Sequence, residues 1–419
     1  MAIIGLSDQE FRSVLRENLT SARAISNPEH LRGRQTKLDQ IDRAFNSQGK
    51  HAFIYGDRGV GKTSLALSAA VLHQSSENGP IFVSCDQGLT CFKLVGDIVR
   101  SVVPAQDIVE RRRSTHGFRL NLFGLGADVA NSLERGHAPE IGSINEAIVC
   151  LNYVKQFHSK EPVVIVDEFD QLTAADERKK FADLIKQVSD RNIGIRLIMT
   201  GIGKSLDDLI GAHLSTGRYL SSVELERLSH DARWEILRHA AASLNISIDE
   251  EYVIRIGQIS DGFPYYAHLA GEMIFWSAFR DARDLDKVTY DNFAEGIRDA
   301  SREAEATLRG AYDRATQKYK GEYEETLWAL ADKPHLRRQI REVYENSYIR
   351  IAEDYYPKRK PMDLRQFYGR MNNLKTERHG RIIETTSAGW YQFRENVVRG
   401  YVRLRAEQSG VQLDRDVLR

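Results

Sequence analysis

The chain has 419 residues, about three times the length of a typical domain, so two or three domains are expected. Hydrophobic residues make up 42% and charged residues 28%, with 9 prolines, which excludes a disordered, collagen-like or coiled-coil chain. Lysine plus arginine and aspartate plus glutamate are 59 each, so no global field draws the molecule onto nucleic acid or anionic lipid.

Residues 7–24 read as a polar helix with apolar positions at Phe11, Val14 and Leu15, followed by a loop at Ser26-Asn27-Pro28. A strand at 51–55, a glycine-rich turn and a helix from Lys62 to about His73 come next. Strands at 81–85, 162–167 and 195–200 continue an α/β alternation, which implies parallel strands joined by crossover helices. The strands are apolar on both faces, as buried central strands should be. Between 104 and 142 the pattern fails, and the stretch reads as an inserted loop or hairpin. A further strand is expected at 219–225. From 229 to about 318 every segment reads as helix, with Ser229 and Ser247 as capping signals.

Gly56-Asp57-Arg58-Gly59-Val60-Gly61-Lys62-Thr63 fits GxxxxGK[ST] and stands where it must, after a strand and opening a helix. Its glycines let successive N–H groups turn inward onto phosphates, with the helix N-terminus behind them, and Ser64 continues the cradle. Lys62 reaches the β- and γ-phosphates of ATP, and the Thr63 hydroxyl is a ligand for Mg²⁺. Val163-Val164-Ile165-Val166-Asp167-Glu168 places two carboxylates at the tip of a second strand. Asp167 serves the magnesium, and Glu168 is the base that orients or deprotonates the attacking water. Thr200 ends the next strand, where a polar side chain helps to place that water.

The phosphate loop, the Asp-Glu strand, the Thr200 strand and the helical block after them resemble the AAA+ superfamily. Within it the chain is similar to the origin-recognition-like ATPases and the related STAND signalling ATPases. Leu31-Arg32-Gly33-Arg34 resembles the box that lines the adenine pocket in this group, which implies nucleotide contacts from Leu31 and Arg34. Gly262-Phe263-Pro264 resembles the turn where the lid helix meets the nucleotide, with Pro264 at the contact. The resemblance covers about 27–300. One departure stands out: the lid turn runs on as Tyr265-Tyr266-Ala267-His268, without the sensor arginine of many AAA+ lids. The departure implies that lid closure in response to the γ-phosphate is weak or rests on other groups, His268 among them. The segment before the 219–225 strand often carries an arginine finger in such proteins. Arg218 is the candidate and Arg227 a poorer one; a finger implies a homo-oligomer with nucleotide at the interface.

Residues 319–419 read as a winged helix. Helices are expected at 323–331 and about 336–352. A third has Asp363 as its N-cap, Leu364, Phe367, Tyr368, Met371 and Leu374 on one stripe, and Arg365, Arg370, Asn373 and Lys375 on the other face. A hairpin wing and a last helix follow. Residues 311–419 hold 22 lysines and arginines against 16 aspartates and glutamates, a surplus of six. That surplus suits a helix entering the major groove of double-stranded DNA through those four residues. The basic stretch 111–119 is a second expected contact.

The expected architecture is thus an N-terminal arm (1–26), an AAA+ α/β core (27–228, with the insertion at about 104–142), a helical lid (229–318) and a winged helix (319–419). Two functions remain open. One is an ATP-controlled switch that assembles on DNA; the other is a STAND-like signalling ATPase whose winged helix contacts a partner protein. A small-molecule kinase is disfavoured by the long helical lid. Three cysteines without CxxC spacing suit a reducing compartment. Apolar runs are too short for a bilayer, and the start lacks a basic n-region, so a cytoplasmic protein away from membranes is expected.

Overall fold

The computed structural model describes residues 3, 5–74, 78–102, 141–212, 216–355 and 358–414. Helix α1 spans Asp8–Asn18, shorter than the expected 7–24. Ser7 caps it by accepting from Glu10 N, while the Glu10 carboxylate accepts from Ser7 N. It stops because the next residues offer competing side-chain partners. Thr20 Oγ1 donates to the Arg23 carbonyl and Ser21 Oγ to the Glu272 carboxylate.

The α/β part follows in chain order: α2 (Gln35–Phe45), β1 (His51–Tyr55), α3 (Lys62–His73), β2 (Ile81–Ser84) and α4 (Cys91–Val102). After the stretch outside the described residues come α5 (Ile144–Phe157), β3 (Val163–Asp167), α6 (Ala175–Asp190), β4 (Arg196–Gly201), α7 (Gly203–Ala212) and β5 (Leu220–Glu224). The five strands form one parallel sheet in the order β2-β3-β4-β1-β5. Central β3 is buried along its whole length, as its VVIVD sequence demands. Edge strand β2 instead alternates, with Ile81 and Val83 inward and Phe82 outward. The order inserts β4 between the strand that leads into the phosphate loop and the strand that ends in the carboxylates. In parallel sheets, ligands gather beyond the carboxyl ends of the strands.

At the opposite end of the sheet His51 is buried and stitches β1 to α6 and β4. The Leu197 N–H donates to its Nδ1, so the proton sits on Nε2 and is directed at Ser189 Oγ. Burial pushes this imidazole down to about 4, which keeps it neutral.

An all-helical part follows: α8 (His230–Ser243), α9 (Glu250–Ser260), α10 (Pro264–Arg280), α11 (Tyr290–Glu303) and α12 (Ala306–Thr316). Ser229 caps α8 by accepting from Ala232 N, as expected. Ser247 caps nothing: its N–H and hydroxyl both donate to the Asp286 carbonyl, and α9 begins after Asp249.

The C-terminal part comprises α13 (Lys320–Ala331), β6 (Arg338–Gln339), α14 (Ile340–Val343), a π-turn at Tyr344–Tyr348, α15 (Ile349–Tyr355), α16 (Leu364–Leu374), β7 (Ile383–Ser387), β8 (Trp390–Phe393) and α17 (Asn396–Gln408). The strands make an antiparallel sheet in the order β6-β8-β7. The helix expected at 336–352 starts only at Ile340, because residues 338–339 pair with 390–391. Arg338 explains the difference. Its guanidinium is buried and donates to the carbonyls of Ala329 and Asp332 and to Ser347 Oγ, while pairing with Glu342. Asp363 caps α16 in a box with Gln366, as expected.

The described chain divides into two compact units, one of residues 24–56 and 61–226, the other of 1–23, 57–60 and 227–419. Cys85, Cys91 and Cys150 are buried free thiols, and no helix among the described residues is long and apolar enough to cross a membrane.

Candidate nucleotide site

The phosphate loop leaves β1 at Gly56 and enters α3 at Lys62. Gly61, the residue before the helix, sits at φ 97°, ψ 28°, a left-handed backbone that a Cβ would strain. That conformation turns the first N–H groups of α3 toward the loop's concave side, where an anion is stabilised by those N–H groups and the helix dipole. Lys62 Nζ donates to the Gly56 carbonyl at 3.1 Å, so its stem lies across the loop.

Three hydroxyl and carboxylate groups meet beyond the strand ends. Thr63 Oγ1 donates to both oxygens of Asp167, at 3.0 and 3.1 Å. Thr200 Oγ1 donates to Asp167 Oδ1 and accepts from the Glu168 N–H at 3.1 Å. The sheet register produces this row: Val166 pairs with Met199, which sets the next residues, Asp167 and Thr200, side by side. Asp167 is buried, whereas Glu168 is exposed and held at φ 56°. A non-glycine residue in that region is uncommon, and here it turns the second carboxylate away from the strand axis. The donor set is hard oxygen, one hydroxyl and one carboxylate, which fits a magnesium ion that takes its remaining ligands from phosphates and water. Glu168 stands where a base can act on water.

The upstream segment is tied to the same unit. Ile25 N donates to Ser64 Oγ, and Ser68 Oγ donates to the Ile25 carbonyl, so residues 25–30 run along α3. Leu31 closes the short helical turn Pro28–His30 and is half-buried. Arg34 is buried, and its Nη2 donates to the Glu226 carbonyl at 2.8 Å. Burial lowers its guanidinium to about 10 against the opposing pull of Glu226. Arg34 therefore clips the chain beyond β5 to the start of α2. Sequence reading had no signal for the Ile25–Ser64 tie, which involves a backbone group.

Arg218 lies exposed at the end of the short turn Thr216–Arg218 and has no ion-pair partner among the described residues. The other unit holds the remaining residues. Arg58 pairs with Glu395 at 3.2 Å, Gly59 sits at φ 84°, and Val60 is buried. Arg227 is held by Asp261 at 2.9 Å and donates to the Pro334 carbonyl. Pro264 is the first residue of α10, after Gly262 and buried Phe263. His268 is buried and pushed down to about 4, and its Nδ1 accepts from Thr20 N at 3.3 Å. It holds the turn after α1, a role that the lid resemblance did not suggest.

On α16, Arg365 is exposed, but its neighbours are engaged within the chain. Arg370 pairs with Glu322 at 2.5 Å and lies over Tyr319 and Tyr323. Asn373 donates to Tyr323 Oη, and Lys375 donates to Thr385 Oγ1. The basic stretch 111–119 lies outside the described residues.

The AAA ATPase domain family matches residues 30–198. No protein of curated function matches the chain. Among solved structures, a Walker-type ATPase of Pyrococcus abyssi is similar at a TM-score of 0.55 and 17% identity, over 91% of this chain and 99% of that one. At that identity the likeness is one of fold. Cdc6p from Pyrobaculum aerophilum has a TM-score of 0.45 at 17% identity, over 97% of this chain and 98% of that one. The Aeropyrum pernix ORC1 protein in complex with DNA has a TM-score of 0.42 at 14% identity, over 91% and 94%. Both scores are too low to carry an argument about this chain.

Proposed function

We propose that this chain, whose residues 30–198 match the AAA ATPase domain family, is a switch that binds and hydrolyses ATP, associates with its own copies and engages duplex DNA through a C-terminal winged helix. The observation that supports it most is the row Thr63–Asp167–Thr200 with Glu168 beside it. Lys62 and the first N–H groups of α3 hold the phosphates. Thr63 and Asp167 hold magnesium, which neutralises charge on the phosphate oxygens when bound. Glu168 orients the water and takes its proton as the γ-phosphoryl group passes to it, with ADP and phosphate as products. Thr200 ties the Asp167 carboxylate through its own proton and the Glu168 backbone through the Glu168 N–H. Exposed Arg218 is the finger offered to a neighbouring copy.

The DNA assignment rests on the surplus of six positive charges over 311–419 and on Arg365. One observation favours the alternative, a signalling ATPase whose winged helix meets a partner protein: Arg370, Asn373 and Lys375 are spent on contacts within the chain. Gel-shift titration of the full chain on duplex DNA, with ATP, with ADP and with neither, separates the two. Salt-dependent binding supports the switch on DNA. Its absence in every nucleotide state leaves the signalling ATPase.

A further inference from the structure

Far from the phosphate loop in sequence, α1 and the turn after it lie against lid helix α10 and form an open cleft with a volume of about 290 Å³. Its walls are fixed by packing. Phe11 is fully buried, stacked flat on Phe279 at 4.1 Å and edge-on to Trp276 at 4.8 Å. The turn is held by the Thr20 N–H to His268 and by the Ser21 hydroxyl to Glu272. A cleft so braced needs little ordering to receive a ligand.

Its chemistry is specific. Arg12, Arg16 and Arg23 line it together with a single carboxylate, Glu272. Arg12 gives only its Nε to Asp8, and its guanidinium lies over the Trp276 ring at 4.9 Å. Arg16 and Arg23 have no ion-pair partner among the described residues. Leu15 and Leu19 supply an apolar floor. Glu272 accepts from Ser21 with one oxygen, while its other oxygen accepts nothing among the described residues. The lid thus offers a guanidinium cluster, an apolar floor and one open acceptor in one cleft.

We propose that this cleft is a second ligand site, for a nucleoside monophosphate: the phosphate among the three guanidinium groups, the base on the apolar floor with an N–H edge toward Glu272. Guanidinium forks match phosphate oxygens in geometry as well as charge. A bare inorganic anion would leave the apolar floor unused and would face Glu272 as a like charge. A cleft of about 290 Å³ stands at the lower end of small-molecule sites, which suits a mononucleotide better than a peptide. The terminal nucleotide of a strand carries the same chemistry, so both sources need testing. Nothing here depends on ATP hydrolysis.

The test is calorimetric titration of the full chain carrying Lys62→Ala, which disables the phosphate loop, with GMP, AMP, inorganic phosphate and a 5′-phosphorylated oligonucleotide. The expected result is saturable binding of at least one purine monophosphate or of the phosphorylated strand end, tighter than that of inorganic phosphate. Arg16→Ala with Arg23→Ala, both exposed and safe for folding, should weaken it by roughly tenfold to a hundredfold. Glu272→Ala should alter the ratio of GMP to AMP affinity. Binding that is absent, that inorganic phosphate matches, or that survives loss of both arginines overturns the proposal.

Discussion

Lys62 opens α3 at the end of the phosphate loop and is the cation proposed for the β- and γ-phosphates. Lys62→Ala should therefore abolish ATP binding in calorimetry; affinity equal to that of the unaltered chain would show that the loop does not hold ATP. Glu168 is a different kind of residue. It takes no part in the Thr63–Asp167–Thr200 row except through its backbone N–H, so its carboxylate is replaceable without disturbing the metal ligands. Glu168→Gln keeps the shape and removes the base. ATP affinity should stay within about twofold while turnover falls by about a hundredfold or more, since general-base assistance contributes on the order of 10²–10⁴. Phosphate release at the original rate would take Glu168 out of the mechanism.

Helices α10 and α11 touch so closely that a Cβ built on Gly296 would lie 2.4 Å from Ile274 Cγ1 and 2.5 Å from its Cα. The Ile274 backbone cannot retreat, so Gly296→Ala should force the pair apart and cost about 1–3 kcal/mol, read as a lower melting temperature. An unchanged melt would mean that the lid yields there. This contact was invisible in the sequence, where Gly296 is one glycine in a helical stretch. What could be read was periodic or local: the phosphate loop between strand and helix, the Asp-Glu tip of β3, and the Ser229 and Asp363 caps. The errors came where a distant partner decided the outcome. Residues 19–23 leave the helix because Glu272 and His268 receive them, and residues 338–339 become a strand because the Arg338 guanidinium needs buried carbonyls. Arg370, Asn373 and Lys375 looked free for DNA because their partners, Glu322, Tyr323 and Thr385, stand elsewhere in the chain.

Among the described residues, His51 in one compact unit and His268 in the other are imidazoles that burial pushes down to about 4 and so keeps neutral. In the unfolded chain each titrates near 6.5, so between about 6.5 and 4 the unfolded state binds more protons. Stability from these groups is complete above about pH 6.5 and is lost as pH falls toward 4, by up to about 3 kcal/mol for each residue. Denaturant titrations from pH 7 to pH 4 should show that decline; a flat profile would mean that the imidazoles are hydrated. The proposed association with DNA rests on a different property, the charge of the C-terminal part. Arg370 cannot be reversed cleanly, because Arg370→Glu would set two carboxylates face to face with Glu322. Exposed Arg365 can, since no ion pair depends on it. If α16 meets the duplex, Arg365→Glu should remove one phosphate contact and reduce the slope of log affinity against log salt by about 0.9. A contact to a base edge would instead cost about 1–3 kcal/mol and relax preference at one position. No hydrogen bond or ion pair among the described residues links Arg365 to the phosphate loop, so ATP affinity should stay unchanged in the same preparation. Duplex binding with an unaltered salt slope would remove α16 from the interface and leave the remaining arginines of 311–419 to carry it.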